Sequence, residues 1–227
     1  MNKNIDINSY NGVIFDLDGT LVDSTWVWEQ IDIDFLGKRG FDVPDDYSKA
    51  IAAMGFEDTA RYTIDRFNLN ETIEAVTNEW FEMAIDAYTN DVKIKPGALT
   101  YLEALKDKGI KMAIATASDL QLVSPVLKSN GISKYFDNIT TVREVNRGKG
   151  FPDIYNLAAN RMNLHNSKCI VFEDIYKAAK GALSGGYRTV GVYDEHSEHD
   201  RIPMMDLCDM YIYNFEEMIK EQLWKKL

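Results

Sequence analysis

Short apolar runs recur along the chain and alternate with stretches whose apolar residues follow helical spacing. Six of these runs are strand candidates, at residues 13–21, 111–118, 136–141, 169–174, 189–193 and 210–213. Continuous apolar runs are typical of strands that are buried on both faces of a parallel sheet. Their alternation with helices predicts an α/β fold, a doubly wound parallel sheet with helices on both faces.

Proline and glycine mark the predicted helix boundaries. Pro96 opens a helix that closes at Gly109. The next helical stretch, residues 119–130, contains Pro125, which cannot donate an interior backbone hydrogen bond. We therefore expect a helix that starts after Ser124 or one that is kinked.

Residues 24–91 differ from the rest of the chain in pattern and charge. They lack strand signals, their apolar residues follow helical spacing, and they hold fifteen Asp and Glu against five Lys and Arg. Almost all of the net charge of −11 therefore lies here. We predict an all-helical domain at 24–91, inserted into an α/β core made of residues 1–23 and 92–227. Trp26, Trp28 and Phe35 form an aromatic stripe that we interpret as the insert's own core.

Composition limits the classes of partner. The 227 residues are enough for one large core or for a core with a small second domain. No apolar stretch approaches the ~20 residues of a membrane span, and the first residues lack the apolar segment of a secretory signal. Cys169 and Cys208 lack metal-type spacing, so we expect reduced thiols and a cytoplasmic location. The net negative charge disfavours nucleic acid, and we expect a monomer that binds neither nucleic acid nor a membrane.

Two carboxylates follow the first apolar run. Asp16 and Asp18 stand just before a Gly-Thr turn, and Gly19 allows the chain to turn there. A strand that stops at charged groups presents them at its carboxyl end, where open α/β sheets bind ligands. The pair is therefore predicted at a strand-to-loop junction, although an Asp-Gly turn is by itself common.

Two later runs also end in reactive groups. One ends in Thr116, the other ends in Glu173 and Asp174, and Lys149 lies between them in a Gly-rich segment. Each of these has an ordinary interpretation when taken alone. A hydroxyl commonly ends a strand, a lysine in a loop is usually a solvated charge, and acids at a helix start act as caps.

The order of acid pair, hydroxyl, lysine and second acid pair resembles that of the haloacid dehalogenase-like hydrolases. The segment D-L-D-G-T-L at residues 16–21 is similar to the first motif of their phosphatase branch. The resemblance covers nearly the whole chain, because all four motifs occur in sequence with suitable gaps. It implies a Rossmann-like core, and the helical insert after the first motif resembles the α-helical cap of the branch that includes β-phosphoglucomutase.

The resemblance implies hydrolysis of the phosphate monoester of a small phosphorylated metabolite. Asp16 would attack phosphorus and form an aspartyl phosphate, while Asp18 would protonate the leaving alcohol and later accept a proton from water. Thr116 and the backbone N–H of Ala117 would bind phosphoryl oxygens. Lys149 would neutralise both the phosphoryl group and the Asp16 carboxylate.

The resemblance also implies a divalent cation, because two carboxylates this close do not both ionise easily without one. Mg²⁺ takes oxygen ligands and is expected as the cofactor. Its ligands would be Asp16, Asp174 and the backbone carbonyl of Asp18, with Glu173 bound directly or through water.

This chain departs from the family pattern at three positions. Gly150 stands where a proline often follows the motif lysine, Ile175 where a serine often follows the acid pair, and Ala178 where a glycine is usual. None of the three removes a charged group that the chemistry needs. They change the surroundings of Lys149 and Asp174.

Two alternatives to a phosphatase stay open. A sugar phosphomutase similar to β-phosphoglucomutase would share the four motifs and the cap, but it must hold a second phosphate with basic residues. The acidic insert offers Arg61 and Lys49 as candidate substrate contacts. A non-enzymatic phospho-acceptor signalling module would also place acids, a hydroxyl and a lysine at strand ends. Such modules are about half this length and give the second acid pair no role.

Overall fold

The computed structural model describes residues 5, 7–51 and 54–220. The chain divides into two compact units, which are described separately. An α/β unit contains Met1–Thr25 and Val92–Leu227, and a helical unit contains Trp26–Asp91. The division lies two residues later than the predicted start of the insert. That the helical unit acts as a cap stays a prediction.

The described part of the helical unit contains four helices: α1 Val27–Gly37, α2 Tyr47–Ile51, α3 Phe56–Phe67 and α4 Ile73–Asn90. No strand occurs among its described residues. Phe35 packs edge to face on Trp80, with ring centroids 5.3 Å apart, and both are buried. The predicted aromatic core is thus confirmed for Phe35 and wrong for Trp28, which is 40% exposed. Trp28 lies in the first turn of α1, where its ring meets Phe56, which is itself 43% exposed.

The α/β unit alternates strands and helices along its described length. Its elements are β1 Gly12–Phe15, β2 Val22–Asp23, β3 Lys93–Ile94, α5 Ala98–Asp107, β4 Lys111–Thr116, α6 Leu120–Ser129, β5 Asn138–Thr141, α7 Asp153–Arg161, β6 Cys169–Glu173, α8 Tyr176–Ser184, β7 Arg188–Val192, α9 Arg201–Leu207, β8 Met210–Ile212 and α10 Phe215–Lys220. No described helix in either unit has the length and apolarity of a membrane span.

Six strands form one parallel sheet in the order β5-β4-β1-β6-β7-β8. The strand that comes first in the sequence, β1, therefore lies in the middle of the sheet, between β4 and β6. The short strands β2 and β3 pair antiparallel with each other and are separate from this sheet. The predicted fold class, a doubly wound parallel sheet with an inserted helical part, is confirmed.

Alternate residues of β1 enter two different apolar cores. Ile14 packs in a cluster with Ile154 and Tyr155 of α7. Phe15 faces the other way, with its ring centroid 6.2 Å from that of Tyr101 in α5 and 6.1 Å from that of Phe215 in α10. All six side chains are buried. Packing on both faces fixes β1, and so it fixes where the chain emerges at Asp16.

The helix α6 begins earlier than expected. It starts at Leu120, and Pro125 lies inside it, so the predicted start after Ser124 is wrong. The carboxylate of Asp119 accepts a hydrogen bond of 2.9 Å from the backbone N–H of Gln121, which caps the first turn. This cap and the buried apolar face of α6 outweigh the backbone hydrogen bond that Pro125 cannot donate.

Candidate active site

The carboxyl ends of β1, β4 and β6 meet at one edge of the sheet. Phe15, the last residue of β1, is in register with Ile114 of β4 on one side and with Phe172 of β6 on the other. Because the strands are parallel, the residues that follow them emerge together. The three polar strand ends singled out in the sequence therefore meet at one site.

Asp16 is the first residue after β1, and it is 5% exposed. One of its carboxylate oxygens, Oδ1, forms an ion pair with the ammonium of Lys149. The other, Oδ2, accepts a hydrogen bond of 3.0 Å from the hydroxyl of Thr20, which also lies 3.3 Å from Asp174 Oδ1. Both oxygens of Asp16 thus have a fixed direction.

One member of the second acid pair, Glu173, contacts the same lysine. Glu173 ends β6, is fully buried, and forms an ion pair of 2.6 Å between its Oε1 and Lys149 Nζ. The same oxygen accepts a hydrogen bond of 2.7 Å from the hydroxyl of Tyr155. One carboxylate oxygen from each of Asp16, Glu173 and Asp174 lies within 4.8 Å of the other two.

The electrostatic balance of this cluster is negative, because three buried carboxylates share one ammonium. Burial raises the pKa of Asp16, Glu173 and Asp174, and that of Asp174 reaches about 7, with the charge of Asp16 adding to the effect. Burial acts against the charged form of Lys149, yet the carboxylates of Asp16 and Glu173 outweigh it and raise its pKa. Lys149 is therefore a permanent cation, and its single positive charge is outnumbered by the three carboxylates.

A divalent cation fits this arrangement. The Oε2 atom of Glu173 is buried and has no hydrogen-bond partner among the described residues, which is costly for a carboxylate unless something else binds it. All three groups offer oxygen, the donor that hard cations prefer. The cluster of Asp16, Glu173 and Asp174 can therefore hold a metal ion.

Asp18 lies beside this cluster and is half-buried. Its Oδ1 accepts a hydrogen bond of 2.7 Å from Ser24, and its Oδ2 accepts one of 2.6 Å from Ser118. Thr116 is buried at the end of β4, with its Oγ1 3.5 Å from Asp18 Oδ2 and accepting a hydrogen bond of 2.9 Å from the backbone N–H of Ser118. Ala117, between them, is exposed.

The turn after Asp18 requires glycine for two reasons. Gly19 has a φ of +78°, a backbone conformation that favours glycine. A Cβ at this position would also lie only 2.5 Å from Oδ2 of Asp174. The Asp-Gly step is therefore more than a surface turn, because it lets the first motif approach the second acid pair.

A second glycine positions Lys149. A Cβ on Gly181 of α8 would lie 2.0 Å from the backbone carbonyl oxygen of Lys149. The segment that carries the lysine is thus in direct contact with the helix that follows Asp174. Nothing in the sequence pattern indicated this contact, because Gly181 sits within an otherwise ordinary helix.

The three residues that depart from the family pattern line one cavity. Its volume is about 380 Å³, and Gly150, Ile175 and Ala178 line it together with Lys149 and others, namely Ala117, Val142, Gly148, Phe151 and Lys177. The departures leave the ion pairs of Lys149 intact. They alter the wall of a concave, largely apolar surface next to that lysine.

Several side chains at the site were missed in the sequence. Thr20, Ser24, Tyr155 and Ser197 all bind a predicted site carboxylate directly, Ser197 through a hydrogen bond of 3.1 Å to Asp174 Oδ2. Thr20 and Ser24 follow the first motif closely and could have been suspected. Tyr155 and Ser197 come from α7 and from the segment after β7, so only the fold brings them here.

The two predicted substrate contacts of the insert lie on its surface. Lys49 is in α2 and Arg61 is in α3, and both are exposed. Their role in binding substrate stays a prediction.

The sequence profile of the haloacid dehalogenase-like hydrolases matches residues 13–192. The chain belongs to this family. A phosphorylated carbohydrates phosphatase from Thermotoga maritima is 26% identical over 208 residues, which cover 91% of this chain and 95% of that protein. Fructose-1-phosphate phosphatase YqaB from Escherichia coli is 27% identical over 190 residues, covering 81% and 96%.

A solved structure agrees at the level of the fold. The crystal structure of a candidate β-phosphoglucomutase from Thermotoga maritima matches with a TM-score of 0.79 at 24% identity, covering 93% of this chain and 99% of that one. With phosphatases among its relatives, this haloacid dehalogenase-like hydrolase is an enzyme of the phosphatase class, as predicted. The alternative of a non-enzymatic signalling module is therefore wrong.

Proposed function

We propose that this hydrolase cleaves the phosphate monoester of a small phosphorylated metabolite through an aspartyl phosphate on Asp16, with Mg²⁺ as its cofactor. The observation that carries the proposal is the arrangement of Asp16, which is buried, paired with Lys149 and grouped with two further carboxylates. A carboxylate held in this way is oriented toward one incoming group.

In the first half-reaction a carboxylate oxygen of Asp16 forms a bond to phosphorus, and the bond from phosphorus to the ester oxygen breaks. Asp18 donates its proton to the departing alkoxide, which leaves as the alcohol. In the second half-reaction water attacks phosphorus, Asp18 accepts a proton from that water, and the bond to Asp16 breaks. Inorganic phosphate is released, and both aspartates return to their starting states.

Hydrogen bonds orient the acid and bind the phosphoryl group. Ser24 and Ser118 hold the two oxygens of Asp18, so its carboxyl group has one orientation from which to donate a proton. Thr116, the backbone N–H of Ala117 and the ammonium of Lys149 would bind the phosphoryl oxygens, where negative charge accumulates.

The metal would be held by the carboxylates of Asp16, Asp174 and Glu173 and by the backbone carbonyl of Asp18. When bound, Mg²⁺ supplies positive charge that offsets the carboxylates and the phosphoryl oxygens. Glu173 already contacts Lys149 and Tyr155 through one oxygen, so its other oxygen, Oε2, is the one available for a ligand or a bridging water.

We propose a phosphorylated carbohydrate as the substrate class, because the relatives compared above act on such compounds. The helical unit would serve as the cap, with Lys49 and Arg61 as its substrate contacts. The cytoplasmic location and the monomeric state predicted from the sequence stay predictions.

A phosphomutase is the second candidate, favoured by the likeness in fold to a candidate β-phosphoglucomutase. The charges of the helical unit argue against it. Of its five cations, Lys38, Arg39 and Arg66 form ion pairs with acids of the same unit. Among the described residues of this unit, Lys49 and Arg61 are the two cations left to clamp a second phosphate, which supports hydrolysis over transfer between two phosphate sites.

A substrate screen tests the proposal and separates the two candidates. Phosphorylated hexoses, hexitols and pentoses are incubated with the full chain and Mg²⁺, and both free phosphate and isomerised sugar phosphate are measured. We expect free phosphate from at least one sugar phosphate and none from Asp16→Asn. Isomerised product without net phosphate release would identify a mutase. A silent wild-type protein across the panel would refute both.

A further inference from the structure

The segment that follows β7 contacts Asp174 and the start of α8. The hydroxyl of Ser197 donates a hydrogen bond of 3.1 Å to Oδ2 of Asp174. Three residues on, Oδ2 of Asp200 accepts a hydrogen bond of 2.8 Å from the backbone N–H of Tyr176, the first residue of α8. We call residues 194–200 the β7 loop. It contacts both the side chain of Asp174 and the start of the helix behind it.

One residue of this loop, Asp194, anchors it to the rest of the α/β unit. Its side chain is 3% exposed and forms an ion pair of 2.8 Å between Oδ2 and Lys95 Nζ. Its Oδ1 accepts hydrogen bonds of 3.0 Å from the hydroxyl of Thr25 and of 3.0 Å from the backbone N–H of His196. The ammonium of Lys95 also donates a bond of 2.7 Å to the backbone carbonyl of Tyr193.

The anchors of Asp194 are far apart in the sequence. Thr25 immediately precedes the helical unit, and Lys95 follows it after three residues. Asp194 therefore joins both of these chain segments to the loop that holds Asp174. A buried ion pair is weak grounds for stability, since an apolar pair of similar size often does as well. The directions of the four bonds are better explained by the position they impose on the loop.

We propose that Asp194 is a positioning residue for the metal centre, acting through Ser197. It holds the β7 loop so that the Ser197 hydroxyl fixes which oxygen of Asp174 faces the other carboxylates. Partners that orient a ligating carboxylate commonly change metal affinity when they are removed. The inference rests on the proposed function only in that Asp174 binds the metal, and the binding is measured without substrate.

Calorimetric titration of Mg²⁺ into the full chain tests this. We expect Asp194→Asn and Ser197→Ala each to weaken Mg²⁺ binding by about tenfold. The double variant should bind about as weakly as either single one, because both remove the same constraint on Asp174. If the two effects multiply to about a hundredfold, Asp194 does not act through Ser197 and the proposal is wrong.

Two variants guard against a loss of folding. Asp194→Asn leaves Lys95 buried without a charged partner, so Thr25→Val is measured as well. It removes one hydrogen bond to Asp194 and no charge, and it should weaken Mg²⁺ binding by about threefold. Ser197→Thr keeps the hydroxyl and should restore binding to within about twofold of wild type.

The matched control is Asp209→Asn. Asp209 is likewise buried, with 5% exposed. It forms an ion pair with Arg188, the first residue of β7, whereas Asp194 lies beyond the last residue of that strand. The Asp209→Asn variant should lower the thermal midpoint of unfolding as Asp194→Asn does, but it should leave the Mg²⁺ affinity unchanged. If both variants change stability alike and neither changes Mg²⁺ affinity, Asp194 is a purely structural residue. If wild type binds Mg²⁺ tightly but releases no phosphate, the proposed function fails while this inference stands.

Discussion

The two units of the chain use carboxylates in opposite ways. In the α/β unit, Asp16, Glu173 and Asp174 are buried within 4.8 Å of one another around a single lysine. The helical unit holds most of the net charge, yet none of the acids among its described residues is buried. There Glu71 and Glu79 share Arg39 at 2.6 and 2.7 Å, and many of the others face solvent.

The difference shows that the number of acids says little about chemistry and that their placement says much. Acids on helix surfaces are solvated or paired, and the guanidinium of Arg39 lowers the pKa of Glu71 and Glu79. Acids at the carboxyl ends of buried strands cannot spread apart, because the sheet register fixes them. Burial raises the pKa of these acids, and they then need a nearby cation to stay ionised.

The largest expected effect comes from removing one buried carboxylate. Asp16→Asn should lower kcat for phosphate release by about 10³-fold or more, because the amide is a poor nucleophile. Asp32→Asn in the helical unit is the matched control. Asp32 is half-buried and its pKa is raised to about 6 by burial and by Glu29, so it tolerates a neutral side chain. If Asp16→Asn keeps wild-type turnover as Asp32→Asn does, the buried carboxylates of the α/β unit do not differ in function from the acids of the helical unit.

The next largest effect is expected on stability, when the cation that pairs with the acids of each unit is removed. That cation is Lys149 in the α/β unit and Arg39 in the helical unit. Lys149→Met leaves Asp16 and Glu173 buried without their partner, and we expect the free energy of unfolding to fall by about 3–5 kcal/mol in the absence of metal. Arg39→Met removes a partly exposed pair and should cost about 1 kcal/mol. Urea unfolding in the presence of a chelator measures both. Equal losses would mean that the two clusters are energetically alike.

The stability of the metal-free protein should depend on pH through the buried carboxylates of Asp16, Glu173 and Asp174. The pKa of Asp174 is about 7 in the folded state and near 3.8 in the unfolded state, so between these values the folded protein holds the extra proton. The contribution of this group to the free energy of unfolding is therefore fully present below about pH 3.8, and it is lost as the pH rises to about 7. Mg²⁺ binding should tighten over the same range, because it displaces that proton.

Chemical unfolding with chelator between pH 5 and 8, together with Mg²⁺ titrations at each pH, checks this prediction. Asp174→Asn should flatten the slope, whereas Asp46→Asn on the surface of the helical unit should not. A stability that rises with pH through this range in wild type would contradict the direction of the shift.

The smallest expected effects lie on the surface of the helical unit. Arg61→Ala and Lys49→Ala should each leave the free energy of unfolding within about 0.5 kcal/mol of wild type. If these side chains contact substrate, KM for a sugar phosphate rises about two- to fivefold while kcat is unchanged. Lys128→Ala on α6 is the matched exposed lysine. If all three variants have the KM of wild type, Lys49 and Arg61 do not contact the substrate.

The sequence was most informative where a motif coincides with a strand end. Asp16, Thr116 and Asp174 were identified there, and the parallel sheet brings them together because β4 and β6 flank β1. Lys149 lies outside the strands and was identified only from its place in the order of the motifs. Local pattern was less informative for Pro125, because the cap at Asp119 decides where α6 starts. It failed for Trp28, whose exposure depends on where the first turn of α1 lies in its unit.

By itself, the sequence determined the fold class, the helical insert and the acids that form the buried cluster at the sheet edge, because strand patterns and motif residues are local properties of the chain. Only the tertiary structure decided which side chains orient those acids. Tyr155 reaches Glu173 from α7, Gly181 admits the carbonyl of Lys149, and Ser197 and Asp194 come from the β7 loop. These contacts join residues far apart in the sequence, and their directions depend on how helices and strands pack, which no local pattern encodes.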